Sequence, residues 1–369
     1  AELLADDETG TAGAAAGVLC GITQWPAGRH AVLGAGAAGS SLASQLMEGL
    51  PGLDDVKRFR VLHLFVELGR TSDEAFATLE SLKAYELVLG AFLTDDILLK
   101  LNAVELMDAL GSFAAGQIYV AKQGVLESVA QELVNPMCDS SIRICLTRLL
   151  SLVLLRTPAV LEKVLPGRAA PLAQSIVEFL ASRDPAERLC ALKAWANIAA
   201  HPEGLGFFLS WPEALQTILS LTAETQQETC KVAMAGWAFV LEHCPPPGAV
   251  SDVPPALLWD CVEKRLLPVV LRNLLAKPFP DVRCHTWHLL AKVVPSRVAA
   301  RHMLPSEEIR DLLLDFQSET SSDARIAKHE FVGALVHHHD AWIGDYLDEK
   351  VEAILTMYAK EGPHWIPRE

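Results

Sequence analysis

The chain has 369 residues, of which 51% are hydrophobic and only 21% charged, a balance that excludes intrinsic disorder and supplies apolar surface for a large interior. Its 46 acidic residues outweigh 31 basic ones, for a formal net charge of -15, so the summed field repels phosphate backbones and anionic lipid and argues against nucleic-acid or membrane partners. No stretch reaches the roughly 18 uninterrupted apolar residues of a membrane span, and eight scattered cysteines without a CxxC pair read as small core side chains of a reduced protein of the cytoplasm, with the nucleus as a second location.

From Ala1 onward there is neither an initiator Met nor a basic segment followed by an apolar one, so no signal peptide is expected. The segment GAGAAG, Gly34 to Gly39, formally matches GxGxxG, and Asp54 and Asp55 follow about 20 residues later, as a dinucleotide site would require. The preceding AAAGVLCGITQWPAGRH reads as helix and loop rather than as a strand, and no βαβ alternation follows, so no nucleotide cofactor is expected.

The dominant signal begins at Asp55. Acidic or polar helix starts recur at Asp55, Asp96, Asp139, Asp184, Gln227, Asp281 and Asp323, at intervals of 41, 43, 45, 43, 54 and 42 residues. All but one interval fall within the ~40 to 47 residues of armadillo and HEAT units. An amphipathic helix is predicted after each start. The clearest is DPAERLCALKAWANIAAHPEG, where Asp184 can cap, Pro185 suits the first turn, and Leu189, Leu192, Trp195 and Ile198 recur at helical spacing. Shorter apolar helices such as GVLESVAQEL, APLAQSIVEFLAS and PEALQTILSLTA lie between, making each unit a helix pair or triplet. The long interval contains CPPPGAVSDVPP, residues 244 to 255, whose prolines mark an extended insertion. The fold expected is all-α: one armadillo/HEAT-type solenoid over residues 1–369, a right-handed superhelix of about seven to eight repeats in which each unit buries its apolar face against its neighbours.

Aligning the units places Lys100, Arg143, Arg188, Lys231, Arg283 and Arg325 at one register. Such a ladder can face acidic groups of a partner, or each cation can pair with an acid of its own unit, as Asp139 with Arg143 and Asp184 with Arg188 stand at i,i+4. Armadillo inner helices often carry Trp and Asn four residues apart; here those positions are Lys193 and Asn197. The corresponding residues elsewhere are Glu105, Arg148, His288 with Lys292, and Glu330, a mixed-sign column suited to a charged protein surface or, equally, to a solvated helix face. The candidate protein-binding set is thus Lys100, Glu105, Arg143, Arg148, Arg188, Lys193, Asn197, Lys231, His288, Lys292 and Glu330. His337, His338 and His339 are consecutive and cannot converge on one metal from a helix. No nucleophile elbow, P-loop or paired carboxylates stand out, so neither an enzyme nor a cofactor or metal is expected. Trp195, Trp237, Trp259 and Trp287 fit core positions, while Trp365 must fold back on the last repeat or meet a partner.

The segment from 53 to 133, the block EFLASRDPAERLCALKAWANIAAHPEG, the segment KPFPDVRC and the closing YAKEGPHWIP, taken in order, resemble the 26S proteasome non-ATPase regulatory subunit five family. The resemblance runs over nearly the whole chain and includes the position of the proline-rich insertion. It implies a helical-repeat chaperone of the proteasome regulatory particle. Such a protein binds the C-terminal small domain of one ATPase subunit of the base, holds an assembly intermediate and leaves before the particle matures. Against that family the chain is expected to lack the N-terminal repeats, which would stand before Ala1, and to be a monomer by itself.

Overall fold

The computed structural model describes residues 9–34, 41–94, 96–122, 124–244, 255–276, 279–296, 301–338 and 345–366, and among them there are helices and turns but no strand. Most of the 244–255 insertion, and residues 35–39 of the glycine-rich segment, lie outside the described residues. The chain divides into two compact units, Ala1–Leu172 and Ala173–Glu369.

In the first unit, α1 (Thr9–Thr23) precedes three helix triplets: α2 (Pro26–Leu33), α3 (Leu42–Gly49) and α4 (Asp55–Arg70); α5 (Asp73–Ser81), α6 (Ala84–Phe92) and α7 (Ile97–Gly111); α8 (Ala114–Lys122), α9 (Leu126–Glu132) and α10 (Ser140–Arg156). The short α11 (Leu161–Val164) follows. Each triplet is two short helices and one long helix, and the long helices α4, α7 and α10 pack one on the next.

The second unit holds most of α12 (Pro171–Ala181), then α13 (Pro185–Ala199), α14 (Pro202–Leu209), α15 (Pro212–Ala223), α16 (Gln227–His243), α17 (Pro255–Cys261), α18 (Leu267–Ala276), α19 (Pro280–Val293), α20 (Glu307–Leu314), α21 (Ser322–His337) and α22 (Glu349–Glu361). Here α13, α16, α19, α21 and α22 form the corresponding stack.

The caps explain where the long helices start. Asp96, Asp139 and Asp184 each occupy the N-cap and accept from backbone N–H groups of the first turn, which satisfies donors that have no partner inside the helix. Elsewhere the acidic residue sits just inside: Asp54 caps α4 ahead of Asp55, Ser321 caps α21 ahead of Asp323, and Asp281 follows Pro280 at the start of α19. An acid in the first turn still gains from the helix dipole. Between α17 and α18 the chain forms a π-helical turn, Val262–Leu266. Pro268 explains it, because its ring has no N–H and would collide with the carbonyl four residues back, so the turn widens there.

Three glycines mark a shared junction. A Cβ on Gly28, Gly116 or Gly204 would stand 2.2, 1.9 or 2.1 Å from the carbonyl oxygen of Ile22, Leu110 or Ile198 respectively. In each case the glycine is in the first turn of a short helix, six residues after that carbonyl, where the chain leaves the long helix for the next triplet. Only a residue without a side chain fits. Gly204→Ala is expected to destabilise by about 1–3 kcal/mol, as overpacking does, and a urea midpoint equal to that of the unsubstituted protein would contradict this.

The core follows the long helices. Trp195, Trp237 and Trp287 are all buried, and Trp195 and Trp237 meet edge to face with ring centroids 4.9 Å apart. Trp259 is buried as well. The last described helix, α22, buries Leu355 and Tyr358 against the array, and its other side is mostly polar. The tail folds back: the Trp365 ring packs on Phe316 with centroids 5.6 Å apart, and Phe316 in turn meets Tyr358 at 4.6 Å.

Candidate protein-binding surfaces

The aligned cations stand in the first turns of the long helices, and Lys100, Arg188, Lys231 and Arg283 face forward onto the next repeat. Lys100 Nζ stands 3.2 Å from Glu132 Oε2 and 5.9 Å from the Phe92 ring centre. Arg188 donates to Glu224 at 2.9 Å and to the Gln226 side-chain oxygen. Arg283 makes a forked pair with Glu319, Nε to Oε2 at 2.8 Å and Nη2 to Oε1 at 2.5 Å, and donates to the Leu274 carbonyl.

Glu224 and Glu319 occupy equivalent places, each three residues before the next long helix begins and each 36 residues after its arginine. These two rungs therefore bolt neighbouring repeats together through an acid that lies in the connecting loop. Arg188 does not pair with Asp184 at i,i+4: Asp184 is engaged as a cap, and Arg188 reaches past it to Glu224. Lys231 bridges Glu228 at 2.6 Å and Asp281 at 3.5 Å, again joining one long helix to the next. Arg325, on the last ladder rung, donates to the backbone carbonyl of Glu319 at 2.8 Å, and Arg143 is half-buried.

The second column is also largely paired across repeats. Arg148 holds Asp108 through both carboxylate oxygens, His288 Nδ1 lies 3.2 Å from Glu330, and Lys292 lies 3.2 Å from Glu242. These pairs are solvent-accessible, and such pairs contribute about 0–1 kcal/mol each. Asn197 is half-buried, whereas Lys193 and Glu105 are exposed and have no ion pair among the described residues. The structure thus commits most of the eleven candidates to contacts inside the fold.

The most enclosed charges belong to the Glu319 bolt. Glu319 is 1% exposed, and its Oε1 also accepts from Trp287 Nε1 at 2.8 Å. Nearby Lys328, equally buried, donates to the carbonyls of Leu312 and Asp315 and to the Ser318 hydroxyl, with its ammonium 5.8 Å from the centres of both the Trp287 and Phe316 rings. Burial pushes the Lys328 ammonium down to about 8, against the opposing pull of Glu319 and Asp315. The unfolded chain holds that proton to about pH 10.4. Between those values the unfolded state binds more protons, so this group makes stability rise with pH. The stability of the unsubstituted protein relative to Lys328→Met is expected to increase by about 3 kcal/mol from pH 7 to pH 10.5, and a flat difference curve would contradict the assignment. Taking the difference cancels the buried thiols and phenols common to both proteins.

Burial pushes the Cys138 thiol up to about 11 and also raises Cys145, Cys261 and Cys284, which lowers the thiolate fraction that a nucleophile needs. Among the described residues, no three His, Cys, Asp or Glu side chains converge as metal ligands, and no helix is long and apolar enough to cross a membrane. His337 and His338 end α21, while His339 and Asp340 lie outside the described residues. Gly34, which opens the glycine-rich segment, follows α2 rather than a strand.

One surface is not apparent from charge patterning. In the first unit a groove of about 560 Å³ runs between α3, α4, α6 and α7, lined chiefly by apolar side chains that include Met47, Leu50, Phe59, Leu87, Ala91 and Leu99. Of its lining residues Leu87 is 43% exposed; Leu93, Leu98 and Leu101, near it in the chain, also face solvent.

Triplets of helices stacked through their long members define an armadillo-type repeat scaffold. The fold resembles an engineered protein, with TM-score 0.52, 16% identity and coverage of 69% of this chain and 96% of that one. It also resembles a designed armadillo repeat protein solved in complex with a (KR)4 peptide, with TM-score 0.51, 14% identity and coverage of 67% and 98%. The chain belongs to the family described as proteasome non-ATPase 26S subunit, whose model matches residues 2–369. Its relatives include the 26S proteasome non-ATPase regulatory subunit 5 of Bos taurus, 20% identical over 333 residues, and that of Homo sapiens, 19% identical over 334 residues. Each alignment takes in 88% of this chain, which spans 65% of the length of either relative.

Proposed function

We propose that the chain is an assembly chaperone for the base of the 26S proteasome regulatory particle, that it grips the C-terminal small domain of one ATPase subunit, and that it is absent from the mature particle. Family membership over residues 2–369 carries the reading, and the repeat fold supports it, because a scaffold of stacked helices offers a large preformed surface with little ordering cost on binding. The action is steric and electrostatic. While the small domain is held, wrong neighbours are excluded, and the growing ring releases the chaperone by competing for the same surface. The work is done in the cytoplasm, and in the nucleus where particles assemble there. An affinity-tagged chain recovered from cells is expected to bring down one base ATPase in near-stoichiometric amount without the mature particle; recovery of known assembly intermediates elsewhere in the same extract but of no ATPase on the tagged chain would overturn the reading.

A further inference from the structure

We propose that a recess between α5 and α8 of the first unit receives a basic side chain of a partner protein, its charged head held by the carboxylates and the tyrosine hydroxyl that line the recess. The inference rests on the reading that this chain works by holding a protein, and adds a place on it and the chemistry that place accepts.

The recess, of about 350 Å³, is built by two helix faces. Asp73, Phe76 and Glu80 stand at i, i+3 and i+7 on α5, and Ile118, Tyr119 and Lys122 line it from α8, spacings that keep the residues of each helix on one side. Phe76 and Tyr119 are almost fully buried and meet edge to face with ring centroids 6.1 Å apart, so they form an aromatic floor. Ile118 remains 40% exposed above it. Asp73 and Glu80 lie two turns apart, about 10 Å along the helix, a span that one long side chain can enter.

Tyr119 is the group that asks for a guest. The residue is 3% exposed and lines the recess, yet its hydroxyl has no hydrogen bond among the described residues. The hydroxyl of neighbouring Tyr85 is also without a partner but is sealed from solvent, whereas that of Tyr119 is not. A polar group held in this way gains from a donor that reaches it.

The lining sets the sign of that donor. Asp73 and Glu80 are exposed carboxylates with no ion pair among the described residues, while Glu74, next to Asp73, is held by Arg29 at 3.0 Å. Lys122 is the one cation among the described residues that line the recess, and the two carboxylates outnumber it. Burial pushes the Tyr119 phenol up to about 12, with Glu86 and Glu80 acting in the same direction. The hydroxyl therefore stays neutral in a negative field, which favours an N–H donor carrying positive charge. The aromatic floor adds a cation–π attraction, and the apolar stem of a Lys or Arg can lie along Ile118.

The test uses the full chain with its four tyrosines labelled with carbon-13 in the ring, and the Tyr119 signal identified by its loss in Tyr119→Phe. The probe is a short glycine peptide with one central arginine, and its twin carries citrulline, which has nearly the same shape and no charge. The Tyr119 signal is expected to move saturably with the arginine peptide and to need at least about tenfold more of the citrulline twin. Glu80→Gln combined with Asp73→Asn, both exposed, is expected to weaken the arginine peptide by about tenfold or more with an unchanged far-UV spectrum. Glu80→Gln alone carries the test if the double variant does not fold.

A Tyr119 signal that does not move, equal binding of the two peptides, or full binding by the double variant would overturn the proposal. Saturation by putrescine at lower concentration than by the peptide would also overturn it, by assigning the recess to a free amine. Peptide binding retained while the tagged chain recovers no ATPase would sink the function proposed above and leave the recess standing.

Discussion

Arg283→Ala is expected to cost the second unit about 3–5 kcal/mol, the loss typical of removing one partner of a buried ion pair. Glu319 has nowhere to go: it is 1% exposed, three residues before α21, and held by the Arg283 fork and by Trp287. Without the guanidinium a carboxylate remains in a site from which water is excluded, and its desolvation is no longer offset. Replacing both partners by apolar residues, Arg283→Met with Glu319→Leu, is expected to recover much of the loss, because an apolar pair of similar volume has no charge to solvate. Urea unfolding followed by Trp fluorescence measures both. A loss below about 1 kcal/mol for Arg283→Ala would place the bolt among ordinary surface pairs and remove it from the account of repeat coupling.

Trp237→Ala should have a comparable effect, about 3–5 kcal/mol, from lost transfer energy and the cavity left between two long helices. The ring is 1% exposed and lies edge to face with Trp195. The neighbouring Gly236 shows how closely α13 and α16 approach, since a Cβ there would stand 2.9 Å from Trp195 Cζ3. The indole N–H of Trp237 is buried with no hydrogen-bond partner among the described residues, so its deletion releases an unsatisfied donor. Trp237→Phe keeps a six-membered ring and leaves a smaller cavity, and is therefore expected to cost clearly less than Trp237→Ala. Thermal melts of the two variants check the contrast, and equal losses for Phe and Ala would contradict it.

The repeat was legible because it recurs in the residues that start helices and in the apolar spacing after them. Asp96, Asp139 and Asp184 announce their own caps, since a short acid ahead of an apolar periodic run has few other uses. The ladder was legible as a register but not as a set of contacts. Glu224 and Glu319 lie in the turns ahead of the next long helix, and Glu132 closes the short helix α9, so only packing of one repeat on the next brings them beneath a cation more than thirty residues earlier. Local spacing offered Arg188 a partner in Asp184, but that acid caps the helix.

The groove was hidden for the opposite reason. Leu87, Leu98 and Leu101 sit in a leucine-rich stretch where nothing in the letters separates an exposed leucine from a buried one, because exposure depends on how adjacent triplets are offset. Gly28, Gly116 and Gly204 carried a signal that could have been found: consecutive members are separated by 88 residues, two repeats, and a glycine in the first turn of a helix asks for a close approach to explain it.

Trp365 illustrates how a tail residue resolves. Gly362 ends α22 at φ +109 and turns the chain back, a conformation a residue with a side chain rarely takes. The indole then reaches Phe316, next to the loop that Lys328 holds by its two carbonyls. The Trp365 ring is therefore engaged with the fold rather than free in solvent.

The most direct measurement is the mass, by multi-angle light scattering, of the purified chain mixed in turn with the isolated small domain of each base ATPase. The account predicts a one-to-one complex with one of these domains and the unchanged mass of the free chain with the others. Free mass with every domain, at concentrations where each is folded and monomeric, would contradict it.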